Sequence, residues 1–119
     1  MDRMKPRVLI IVSADPRASH RPAEAVRIAA GVGVWQKADM ALYLRGEAVL
    51  ALGDPEEGLI DEENFNQCWP MLVEAGQRIY VQENAPALKK IVSARAPFME
   101  ISDDQLAALA AAQACVLHF

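Results

Sequence analysis

Few side chains in this 119-residue chain are of types that do chemistry: two cysteines, two histidines and a set of polar residues that follow apolar runs. A reactive thiol must be accessible and its thiolate favoured by a helix end or a cation. Cys68 is the one candidate nucleophile with a plausible setting, one turn before a break at Pro70. Its neighbours Phe65 and Trp69 are bulky and apolar, Glu62 and Glu63 are anionic, and both features raise a thiol's pKa. Cys115 opens a strand behind an alanine-rich helix and is expected to be buried. The two cysteines form no CxxC or ligand spacing, so neither a metal site nor a disulfide framework is expected.

His20, beside Arg21 and Pro22, reads as a helix-start residue, and His118 as an edge residue of a terminal strand. Asp15 and Glu83 could form an acid and base pair, although no spacing demands it. Arg17, His20 and Arg21 follow the first strand, where helix amides can help hold an anion. There is no GxGxxG, no GxxxxGKS/T and no GxSxG elbow, so no cofactor is expected.

The elements that must position these groups are legible as an alternation of strands and helices. Val8-Leu9-Ile10-Ile11-Val12 is a continuous branched run, which suits a central strand covered on both faces. A helix follows from Pro22 to about Lys37, with one apolar stripe at Val26, Ala29, Ala30 and Gly33 and another at Ile28, Val32 and Trp35. A helix apolar on two sides is buried on two sides, so it should lie between its own sheet and another subunit or helix, leaving Glu24 and Arg27 in solvent.

A second strand spans Asp39 to Arg45, and Gly46-Glu47 opens a short helix to about Leu52. The acidic stretch from Gly53 to Gly58 is dense in turn formers and should be an exposed, flexible loop. A helix starts near Asp61 with Phe65, Cys68, Leu72 and Ala75 at helical spacing, and Pro70 must kink it or begin its second part. Gly76 can close that helix in the left-handed conformation, before the strand Arg78 to Gln82.

Asn84-Ala85-Pro86 opens a short helix with Leu88 and Ile91 on one side, and Phe98 to Ile101 is a fourth strand. Ser102-Asp103-Asp104-Gln105 matches a capping box at the start of an alanine-rich helix, and Cys115 to Phe119 is the last strand. One α/β domain over residues 1–119 follows, with a mostly parallel five-stranded sheet and helices on both faces. Ligands in such sheets sit beyond the carboxyl strand ends. The expected binding rim is therefore Ser13, Asp15, Arg17, Arg45, Gln82, Glu83 and Asn84.

Composition bounds the partners. The formal net charge of -4 gives no basic footprint for nucleic acid. The longest uncharged apolar run, Ile28 to Trp35, is far short of the ~20 residues that cross a bilayer. The first residues do not lead into a signal peptide, so a cytoplasmic protein with neither nucleic-acid nor membrane partners is expected. A hydrophobic share of 53% leaves apolar surface that a subunit interface would cover.

The order of elements resembles the DsrE/DsrF/DsrH-like family, whose members adopt the three-layer YchN-like fold and include sulfur-relay proteins that carry persulfide sulfur. The resemblance covers nearly the whole chain. It rests on Val8 to Ser13 leading into Ala25 to Gly31, on Leu42 to Val49, and on Leu72 to Val81. In sulfur-carrying members the strand after the helix-stop glycine ends in a cysteine, and the corresponding position here is Gln82. An amide cannot form a persulfide.

The resemblance thus implies a small DsrE-like subunit, non-catalytic, acting in binding or oligomer assembly within a sulfur-relay-like system. It implies a homo-oligomer, trimer or hexamer, or association with related relay subunits. Two alternatives stay open: a sulfurtransferase or persulfide carrier using Cys68, and a small-anion or nucleotide-binding protein using the rim.

Overall fold

A computed structural model of the chain describes residues 6–35, 38–53 and 58–119, without the side chains of residues 34 and 35. The expected loop at positions 54–57, the packing of Trp35 and the helix end at Lys37 lie outside the described residues. The elements run β1 (Arg7–Val12), α1 (Arg21–Trp35), β2 (Asp39–Leu44), a 3-10 helix (Gly46–Leu52), α2 (Glu62–Glu74) and β3 (Arg78–Gln82). A second 3-10 helix (Pro86–Lys90), β4 (Met99–Ile101), α3 (Asp103–Ala111) and β5 (Cys115–His118) complete the chain.

All strand pairs are parallel, in the order β4-β3-β2-β1-β5. From β1 to β4 the chain steps along the sheet in one direction, then returns past three strands to place β5 beside β1. Right-handed crossovers running in opposite directions place their helices on opposite faces. Accordingly α1, α2 and both 3-10 helices share the first face with Ile10, Val12, Leu42, Leu44, Ile79 and Val81. On the second face α3 lies against Leu9, Ile11, Ala41, Tyr43 and Ile101. This is the expected three-layer α/β architecture, with the sheet parallel throughout.

The first face holds the main core. Trp69 is buried and its indole N–H donates to the Ala51 carbonyl at 3.0 Å, which joins α2 to the 3-10 helix after β2. The second apolar side of α1 is met by α2 within the same chain, with Ile28 and Val32 half-buried against the core and Asn64 Nδ2 donating to the Ala23 carbonyl at 3.0 Å. Glu24 and Arg27 are exposed, as two-sided burial requires. α2 runs through Pro70 as one helix. Phe65, Cys68 and Leu72 are buried along it, whereas Ala75, its C-terminal cap, is exposed.

Two end signals act as the residue types require. Gly76 has φ 71°, which ends α2 and turns the chain into β3. At the start of α3, Ser102 Oγ accepts from the Gln105 N–H while Gln105 Oε1 accepts from the Ser102 N–H, a complete capping box. Even so, α3 has no fully buried residue, so the second face is the thinner layer.

Cys115 corrects one expectation: it is exposed. β5 is an edge strand, and alternation sends Cys115 and Leu117 to the α1 face beyond the reach of its helices, with Leu117 37% exposed. Among the described residues no helix is long and apolar enough to cross a membrane.

Candidate functional site at the carboxyl strand ends

Parallel pairing fixes which residues share the rim. Val12 pairs with Leu44, and Leu44 with Val81, so Ser13, Arg45 and Gln82 are the next residues in one row across β1, β2 and β3. Gln82 also pairs with Ile101 of β4. The chain leaves β3 for the first face and β4 for the second, so the topological switch point lies between these strands, beyond Gln82. Four of the expected rim residues, Ser13, Arg45, Gln82 and Glu83, continue these strands directly.

Backbone and side-chain bonds lock this edge. The Arg45 N–H donates to the Val12 carbonyl at 3.0 Å, the Ser13 N–H to the Phe119 carbonyl at 2.8 Å, and the Glu83 N–H to the Ile101 carbonyl at 3.0 Å. Gly46, at φ 57°, turns its N–H onto Gln82 Oε1 at 3.0 Å. Asn84 takes φ 60° and is exposed, a conformation that asparagine tolerates better than most residues.

The loop after β1 is internally neutralised. Asp15 Oδ1 accepts from the Arg17 N–H at 2.9 Å and from Arg17 Nε at 3.0 Å, while Arg17 Nη2 reaches Asp15 Oδ2 and Glu47 Oε2, each at 2.9 Å. Hydrogen bonding from Arg17 holds the Asp15 carboxyl below its ordinary value, against the opposing effect of burial. Asp15 is thus held by Arg17, and the structure gives no contact between Asp15 and Glu83. Glu47, placed by the sequence only at a helix start, is the partner that reasoning missed. It follows β2 by three residues, so the strand-end rule could have included it.

Arg45 differs from Arg17. Its guanidinium carbon stands 6.0 Å from the centre of the Tyr43 ring, within cation–π range, and its Nε is buried with no hydrogen-bond partner. Tyr43 is buried, and burial pushes its hydroxyl pKa up.

Cys68 lies away from the rim, six residues into α2, about 9 Å along the helix axis. It is 6% exposed, and its thiol donates to Asn64 Oδ1 at 3.5 Å. Burial raises the thiol's pKa, outweighing the opposing charge of Arg27. His20 is a helix-start residue as read: its ring Nδ1 lies 2.7 Å from Asp61 Oδ2, and its carbonyl accepts from the Glu24 N–H. Arg21 donates to the His118 carbonyl at 3.1 Å and sits 5.6 Å from the Phe119 ring centre. Among the described residues no three His, Cys, Asp or Glu side chains group to hold a metal ion.

Fold and rim together define an α/β protein with the YchN-like topology. The chain matches the crystal structure of the ychN protein from E. coli with a TM-score of 0.77, over 98% of this chain and 100% of that one, at 18% sequence identity. At that identity the likeness shows the fold alone. No family model matches the sequence, and no curated protein is matched by it.

Proposed function

We propose that this chain is a non-catalytic DsrE-like subunit, cytoplasmic, that binds or assembles within a sulfur-relay-like system rather than carrying sulfur itself. The observation that carries the reading is the hydrogen bond from the Gly46 N–H to Gln82 Oε1. The side chain at the strand end is an amide engaged in holding two strand ends together, where a carrier needs a free thiol. Cys68 is a poor substitute, because it is buried, its pKa is raised, and it lies in mid-helix.

Assembly finds support in surface that the monomer leaves uncovered. Met99, 61% exposed, pairs with Tyr80 on the thinly covered face, and Phe98, 37% exposed, precedes it at the β4 edge. Such a patch suits contact with a second copy or with a related relay subunit. Light scattering on the purified chain tests this: an oligomer, trimer or hexamer, is expected, and a monomer that stays monomeric when mixed with relay subunits would overturn the assembly role.

A further inference from the structure

At the end of the sheet opposite the rim, the second face carries a cleft of about 290 Å³ between the amino ends of β1, β2 and β3 and the last turn of α3. That volume lies near the lower bound of the ~300–1,000 Å³ usual for small-molecule sites. Ala41, Leu109 and the Tyr80 ring give the cleft an apolar lining. Gly76 opens its edge: nothing stands within 4 Å of the point that a Cβ would occupy there.

Three charged residues, Arg7, Asp39 and Arg78, line this space. Alternation sends all three to the side of Leu9, Ala41 and Tyr80, with Arg7 paired to Asp39 and Arg78 paired to Ala41. Their charges therefore run plus, minus, plus across three adjacent strands. All three residues are exposed, and none makes an ion pair or a side-chain hydrogen bond among the described residues. An exposed Arg–Asp pair gains little in water, so a ligand entering the cleft displaces only weak contacts.

The α3 side supplies acceptors. Gln113 Nε2 donates to the Leu109 carbonyl at 2.9 Å, which leaves its Oε1 to accept from a ligand. The last turn of α3 brings the negative end of the helix dipole to the same wall, which favours a cation. A lone carboxylate in the cleft would face Asp39, and a lone amine would face two guanidinium groups. A compact molecule that carries both charges meets a partner for each.

We propose that this cleft binds a free α-amino acid with a small aliphatic side chain. The ligand carboxylate lies on Arg7 and Arg78, whose planar forks match its two oxygens. Its ammonium lies on Asp39 and Gln113 Oε1, and its side chain packs over Ala41 and Leu109. The inference goes beyond the proposed function and does not rest on it, because the cleft is at the opposite end of the strands from Gln82 and Gly46.

The test is backbone amide NMR of the full chain, titrated at constant ionic strength near pH 7 with L-alanine and with L-leucine. Isocaproate, which is leucine without its amine, and isoamylamine, which is leucine without its carboxylate, serve as matched probes. The expected result is a saturable shift of the Ala41, Arg78 and Gln113 signals by at least one amino acid, with both matched probes at least about tenfold weaker. Asp39→Asn and Arg78→Gln should each weaken amino-acid binding by at least about tenfold, whereas Arg27→Gln, on exposed α1 surface, should titrate as the unaltered protein does. Absence of saturable shifts with both amino acids, isocaproate or isoamylamine binding as tightly as leucine, or unweakened binding by Asp39→Asn would overturn the proposal. None of these outcomes bears on sulfur loading of the thiols, so this inference and the proposed function fail separately.

Discussion

Gln82 and Gly46 are joined side chain to backbone at 3.0 Å across the ends of β3 and β2, and this bond ties the two strand ends together. Gln82→Ala removes the acceptor and leaves a partly buried N–H to find water. The expected cost is about 1 kcal/mol in urea unfolding. An unchanged midpoint would show that the bond contributes nothing to holding the rim.

Two glycines in α1 should answer oppositely to the same change. A Cβ at Gly31 meets nothing within 4 Å, so Gly31→Ala should stabilise by roughly 0.5–1 kcal/mol through backbone entropy alone. At Gly33 the added carbon would stand 2.8 Å from Gln77 Nε2 and 3.3 Å from its Cγ, and Gln77 is pinned because its Oε1 accepts from the Met40 N–H at 2.9 Å. Gly33→Ala should therefore forfeit that gain and destabilise by about 1 kcal/mol. Thermal unfolding of the pair checks both signs.

The thiols should differ in reactivity in the order opposite to their apparent promise in the sequence. Cys115 is exposed, whereas Cys68 is buried with a raised pKa. A colorimetric thiol reagent near pH 8 should modify Cys115 in a fast phase and Cys68 only slowly, at the pace of local opening. A fast Cys68 phase in Cys115→Ser would contradict the packing of α2 described above.

His20 gives a pH signature. Its hydrogen bond to Asp61, and then the charge of that carboxylate, raise the imidazole pKa above the ordinary 6.5. The contact therefore stabilises fully below the unfolded value and fades as pH rises through the higher folded one. His20 proton signals should titrate above 6.5 in the unaltered chain and return toward that value in Asp61→Asn.

Much of the architecture was legible because local chemistry dictated it. The β-branched run of β1, the left-handed stop at Gly76 and the Ser102 to Gln105 box each need only a few neighbouring residues, and each forms as read. What depended on strand order was not legible. Cys115 is exposed because β5 lies at an edge, and nothing in Cys115 to Phe119 says which strand will be outermost.

The rim was legible as a list and not as a set of partners. Strand-end logic collected Ser13, Arg45 and Gln82, which the register aligns. It grouped Arg17 with Arg45 as equivalent cations, but a contact spanning 30 residues to Glu47 neutralises the first and leaves the second unmatched. The two-sided burial of α1 was read correctly, and the neighbour on its second side is α2 rather than a feature that demands a partner subunit.

Sulfane sulfur loading, read by intact mass, tests the non-carrier claim most directly. Cys115→Ser removes the exposed thiol, and Gln82→Cys in that background restores a thiol to the strand end beside the Arg45 cation. After incubation with a persulfide donor, the account predicts no added sulfur on Cys115→Ser and a sulfur adduct on the version that also carries Gln82→Cys. Sulfur acquired by Cys68 in Cys115→Ser, lost again in Cys68→Ser, would contradict it.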